Sequence, residues 1–111
     1  MKVTITSLEL KGIFHFFALS AKALKITRQL KTTNCVAFKT QGFLKMHYTM
    51  TLWNSEEELK EFARSGAHLE AMKSSAQIAK EIRVITIDAE KLPSWKEAKT
   101  LLEKGKVYSY A

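Results

Sequence analysis

The chain has 111 residues, 46% apolar and 26% charged, which suits one globular domain over 1–111 and excludes both a disordered chain and two full-sized domains. One cysteine excludes a disulfide framework, and no apolar run approaches the roughly 20 residues that a membrane helix needs. The net charge of +7 resides between Leu10 and Ser55, where seven lysines and arginines stand without one acidic residue. That bias reads either as an anion-attracting surface, for nucleic acid, an acidic ligand or anionic lipid, or as a solvated helix face. The first residues alternate like a strand and lack the apolar block of a signal peptide, so a cytoplasmic protein with no membrane association is expected.

Residues 3–10 read as a strand: Val3, Ile5 and Ser7 alternate with Thr4, Thr6 and Leu8, and β-branched residues dominate its start. Gly12 breaks the run, and from Ile13 to about Lys31 the period is helical. Leu19, Ala23, Ile26 and Leu30 form one stripe that Phe16 extends by a turn, with Lys22, Lys25 and Gln29 on a different face. Thr32-Thr33-Asn34 ends the helix. Residues 35–41 and 45–53 are two further strands, and the short Gly42-Phe43 connection makes them an antiparallel hairpin. Along the second of these, Met46, Tyr48, Met50 and Leu52 point one way and His47, Thr49, Thr51 and Trp53 the other.

Ser55-Glu56-Glu57-Glu58 is a capping box, with acidic residues suited to the positive end of a helix. Leu59, Phe62 and Ala63 supply its buried stripe. Ser65-Gly66 is expected to interrupt this helix, so that a second segment runs from Ala67 to about Lys80 with Leu69, Met72 and Ala76 at helical spacing. Residues 82–88 form a fourth strand. Ser94 caps a last helix over 95–104, Gly105 stops it, and the tail from Val107 is a candidate edge strand. The order is βαββαβ with an extra C-terminal helix, a ferredoxin-like α+β arrangement with an antiparallel sheet. Both sheet faces carry apolar residues. If the helices cover one face, the other is an interface, and a homodimer with two sheets packed face to face is expected.

The run Leu52-Trp53-Asn54-Ser55-Glu56-Glu57, then Phe62, then Ser65-Gly66-Ala67-His68, resembles the dimeric α+β barrel superfamily. That group includes antibiotic-biosynthesis-type, heme-degrading and spheroidene monooxygenase-like proteins. The shared pattern is a Trp ending the third strand, a capped acidic helix start and a Ser-x-x-His opening the next helical segment. The resemblance implies a ferredoxin-like chain pairing as a dimeric barrel and a small oxygen-handling activity, with either no cofactor or heme. It implies catalytic roles for Trp53 and His68. Heme-degrading relatives also use an Asn on the first strand, where this sequence offers only Thr6 or Ser7 as the nearest polar substitute.

The same residues have a physical reading of their own. His68 falls in the first turn after the Ser65-Gly66 break, where a helix N-terminus disfavours the imidazolium and leaves a neutral base or ligand. Trp53 offers a flat apolar wall. A pocket between sheet and helices, with Phe16, Phe17 and His47 as substrate-binding residues, would take an aromatic or planar small molecule. Plainer readings stand beside these. His68 also suits a capping or partly buried structural histidine, and His47 an ordinary polar sheet position. Trp53, Phe14, Phe16, Phe17 and Met72 also suit a core, His15 a solvated site, and Cys35 a small buried hydrophobe. No metal-ligand set, phosphate-binding glycine loop, Ser/His/Asp arrangement or paired-carboxylate site stands out. The alternatives are a non-catalytic ligand-binding or stress-associated dimeric domain and, third, a nucleic-acid binder. For the latter only Phe38 and Tyr48 are candidate stacking residues, and neither sits in a Gly-aromatic signature.

Overall fold

The computed structural model describes residues 1–110 and, within them, every side chain except those of Phe14, Phe43 and Ala67, so the core reading of Phe14 lies outside the described residues. Five strands, β1 (Lys2–Leu10), β2 (Ala37–Phe43), β3 (Met46–Trp53), β4 (Ala79–Asp88) and β5 (Lys106–Ser109), form one antiparallel sheet in the order β2-β3-β1-β4-β5. The helices are α1 (Phe16–Leu30), entered through a 3-10 turn at Ile13–His15, α2 (Glu56–Ala63), α3 (Gly66–Ile78) and α4 (Trp95–Leu102). This is the expected ferredoxin-like α+β chain with its additional helix, and the tail forms the edge strand β5.

Strand register separates two chemically different faces. On one, Val3 and Ile5 lie opposite Leu52 and Met50 of β3 and Ile87 and Ile85 of β4. Val3, Ile5 and Met50 are fully buried, and Ala98 and Leu102 of α4 close over them. Each such side chain contributes about 1.5–3 kcal/mol by leaving water. The other face is a floor of hydroxyls: Thr4, Thr6, Thr49, Thr51 and Thr86 share it, with Thr4 and Thr86 hydrogen-bonded at 3.0 Å. At its end Trp53 packs with Leu30 of α1 and Phe62 of α2. Both faces therefore have helical cover. The face that was expected to be open is covered in part by α4, so burial of Val3, Ile5, Met50 and Leu52 does not require a second sheet.

Three local expectations shift. The hairpin turns at Leu44-Lys45, and β2 continues through Gly42 and Phe43, which pair with His47 and Met46. A Cβ at Gly42 would lie 2.3 Å from His47 Nδ1, so this glycine makes room for a ring and does not make the turn. The start of β2 moves as well, because the Cys35 N–H donates to Thr33 Oγ1 at 3.3 Å and leaves the ladder. On α1, Leu30 is buried but Ala23 is exposed, and Lys22 and Gln29 face α3. The reason is that α1 packs on α3 as well as at the sheet, which rotates its contact face towards polar residues. Phe16, Phe17 and Met72 are 44%, 81% and 55% exposed, so none of them belongs to the core. Among the described residues no helix is long and apolar enough to cross a membrane.

Candidate functional site

The break between α2 and α3 falls at Ser65-Gly66, as the sequence pattern predicts. Gly66 has φ +58, a left-handed conformation that costs an L side chain about 1–2 kcal/mol. A Cβ there would also meet the Gln29 amide at 3.1 Å. Gln29 of α1 serves as a cap from outside. Its Nε2 donates to Ser65 O at 2.9 Å, and its Oε1 accepts the His68 backbone N–H at 2.9 Å. One amide thus satisfies an orphan N–H at the start of α3 and gives a second donor to the Ser65 carbonyl, which also accepts from the Leu69 N–H at 3.4 Å. The Ser65 hydroxyl, at the N-cap position of α3, makes no capping bond and donates instead to Glu61 O at 2.9 Å.

This arrangement fixes His68. Its Nδ1 donates to Ala63 O at 3.1 Å, which leaves Nε2 as the lone-pair nitrogen, without a protein partner among the described residues. Burial pulls the imidazole pKa below its ordinary value, against the opposing effect of the Ala63 carbonyl. The shift has the direction anticipated from the helix start, with desolvation as its main cause. The His68 ring packs 4.9 Å from that of Phe62, which lies 5.2 Å from Trp53. Trp53 and His68 are thus brought to one end of the molecule with Phe62 between them.

Trp53 is 1% exposed and belongs to the core, yet it also lines a cleft of about 250 Å³ with Phe62, Glu58, Glu61, Thr33 and Asn34. His68 is not part of that lining. Among the described residues the Trp53 indole N–H and one Glu58 carboxylate oxygen, Oε2, are buried without a hydrogen-bond partner. An unpaired buried polar group costs about 1–3 kcal/mol, so two on residues lining one cleft are unusual. Glu58 was read only as part of a helix start. Its backbone N–H does donate to Ser55 Oγ at 3.2 Å, but its Oε1 lies 3.5 Å from Asn34 Nδ2, and no return bond closes the box among the described residues. The α1–β2 loop supplies Asn34 from 24 positions away, a placement that helix-start patterning does not report.

The other substrate-binding candidates lie elsewhere. His47 shares the face of Trp53 but sits six positions earlier on β3, about 20 Å away along an extended strand. His47 Nε2 donates to Leu44 O at 2.9 Å, and the Phe16 ring lies 5.9 Å from it. Phe17 packs on Phe16 and faces solvent. Phe38 and Tyr48 occupy opposite sheet faces, so they form no common stacking platform. The Cys35 thiol is half-buried, and burial raises its pKa. Among the described residues no group of three or more His, Cys, Asp or Glu could hold a metal ion. His68 Nε2 offers a single ligand.

No protein-family model and no curated protein matches the sequence. Solved structures do match in shape. A candidate antibiotic biosynthesis monooxygenase from Deinococcus radiodurans superposes with a TM-score of 0.72 at 10% identity, over 85% of this chain and 97% of that one. A second, from Nitrosomonas europaea, gives 0.72 at 11% identity over 82% of this chain and 100% of its own. A conserved protein from Methanosarcina mazei gives 0.72 at 11% identity over 80% and 92%. At these identities the likeness is one of fold. The chain has the ferredoxin-like α+β fold of the antibiotic biosynthesis monooxygenase structures, the one implied by its resemblance to the dimeric α+β barrel superfamily.

Proposed function

We propose that this protein is a small monooxygenase-like protein that binds a hydroxylated aromatic ligand at the Trp53–Glu58 cleft and works as a homodimer. The observation that carries the reading is the pair of unpartnered buried groups on residues lining that cleft, the Trp53 N–H and Glu58 Oε2. A single phenolic hydroxyl seated between them would satisfy both, its oxygen accepting from the indole and its proton going to the carboxylate. Phe62 and Trp53 supply flat apolar walls for the ring. In the catalytic version, Glu58 or neutral His68 draws a proton from the bound phenol, leaving an electron-rich ring that delivers two electrons to oxygen. Those two electrons reach only the peroxide level, as a hydroperoxide on a ring carbon ortho or para to the hydroxyl. Loss of that carbon's C–H proton as the O–O bond breaks supplies the other two, so one oxygen atom stays as a quinone carbonyl and the other leaves as water. The cleft volume of about 250 Å³ suits one or two rings and is small for a tetrapyrrole. A cleft of this size, on a chain with no first-strand Asn, does not fit heme.

The second reading is ligand binding without turnover, favoured by the separation of His68 from the cleft lining. One experiment distinguishes the two. The purified protein is titrated with 1,8-dihydroxynaphthalene under air while binding and oxygen uptake are followed. Trp53→Phe keeps a ring but deletes the N–H, and Glu58→Gln deletes the charge. Both are expected to weaken binding about tenfold, the loss of one charge-assisted or buried hydrogen bond. Oxygen uptake that falls further in His68→Ala, at unchanged binding, supports the catalytic version. Binding without uptake supports the second reading, and no binding removes both.

A further inference from the structure

On the sheet face opposite Trp53, the β2–β3 hairpin and α4 flank an open groove of about 580 Å³, within the range of roughly 300–1,000 Å³ common to small-molecule sites. Gln41, Met46 and Tyr48 reach it from one side of the hairpin, Leu44 and Lys45 from its turn, and Lys99 from α4. The chemistry of this lining is one-sided. It holds two ammonium groups and no carboxylate, and among the described residues neither Lys45 nor Lys99 takes part in an ion pair. Lys99 Nζ stands 4.7 Å from the Tyr48 ring centroid, a cation–π contact that holds the charge over the groove wall, and Trp95 backs Tyr48 at 6.3 Å.

The turn beside the groove is held in an unfavourable shape. Leu44 has φ 52, a left-handed conformation that a branched apolar residue rarely enters. A two-residue hairpin loop calls for a positive φ at its first position, and three neighbours support it. The Leu44 carbonyl accepts from His47 Nε2, Gly42 leaves room for the His47 ring, and Phe16 packs against that ring. The outcome is an apolar side chain that remains 60% exposed at the groove rim. Strain of this kind persists where surrounding structure over-determines it, and it concentrates at ligand clamps.

We propose that this groove binds a small amphipathic anion, a carboxylate carried on an apolar chain or ring. The carboxylate lies between Lys45 and Lys99, and the apolar part lies against Leu44, Met46 and the Tyr48 ring. Neither half of the lining accounts for the other. A bare anion leaves the apolar wall unused, and a neutral hydrocarbon leaves two cations unused. The site is independent of the Trp53–Glu58 cleft and survives if that reading fails.

The test is titration of the ¹⁵N-labelled full chain with octanoate, acetate and 1-octanol, read by amide chemical shifts. Octanoate is expected to shift Gln41, Lys45, Met46 and Tyr48, with acetate and octanol each at least about tenfold weaker. Lys45→Ala and Lys99→Ala are expected to weaken octanoate about fivefold or more, while Lys104→Ala, on the exposed residue beyond α4, leaves it unchanged. Lys99→Gln, which keeps the side chain long and polar, repeats the charge loss if the alanine variant unfolds. Equal binding of octanol, unchanged octanoate affinity in the Lys45 and Lys99 variants, or shifts away from the hairpin would each overturn the proposal. So would absence of octanoate binding together with concentration-dependent sedimentation that Lys99→Ala abolishes, since a second copy would then occupy the groove.

Discussion

The two ends of β3 make the useful comparison in this molecule. At the Trp53 end, aromatic rings pack at tilted angles, acidic residues line the cleft, and burial lowers the His68 pKa. At the His47 end the surface is basic and open, and a histidine clamps a strained turn. His47 and Trp53 lie on one face of one strand, so alternation treats them alike. What separates them is the packing over each: α2, α3 and the Gln29 amide at one end, the hairpin turn and Phe16 at the other. A residue's chemistry here follows its neighbours across the fold more than its position in the strand.

Phe62→Ala tests the first end most severely. It removes the ring joining Trp53 to His68 and is expected to cost about 3–5 kcal/mol in urea unfolding. The same cavity admits water, so the His68 pKa should move back towards its ordinary value, as read by NMR. An unchanged pKa would show that Phe62 is not the main source of its desolvation. Leu44→Gly tests the other end and has the opposite sign. Relief of the left-handed strain outweighs the entropy that glycine adds to the unfolded chain, for a net stabilisation of about 0.5 kcal/mol. Octanoate affinity should fall at the same time, because the groove loses an apolar wall. A variant that is less stable would mean that Leu44 contributes contacts that outweigh its strain.

The smallest effect is a pH dependence. His68 has a lowered pKa in the folded protein, so below about 6.5 the unfolded chain binds more protons than the native one. Its contribution to stability is fully present above that pH and declines as pH falls towards the folded pKa. His68→Gln should remove this part of the slope in unfolding experiments between pH 7 and 5. A slope that persists in His68→Gln would assign it to carboxylates.

Much of the architecture was legible in the residues. Alternation in β1 and β3, the Ser55 and Ser94 caps and the Ser65-Gly66 break are local signals, and local sterics and hydrogen bonding determine them. The hairpin turns two positions beyond Gly42-Phe43, although glycine ordinarily marks a turn. Here Gly42 answers a ring packed across the strand, which no local rule contains. Helix α1 shows the same limit, since its apolar stripe predicted a buried Ala23 with Gln29 on a different face, whereas Ala23 is exposed and Gln29 is half-buried against α3.

The candidate sites divide in the same way. The sequence by itself determined the order of elements, the two faces of the sheet and the placement of Trp53 and His68 at a strand end and a helix start, because periodicity and capping act over a few residues. Only the tertiary structure decided that Phe62 stands between them and that Asn34 reaches Glu58. It also brought Lys99 over Tyr48 and put the Gln29 amide at the helix break. Those contacts join residues far apart in the chain. They depend on how whole elements pack, and pairwise distance in space leaves no mark on spacing along the sequence.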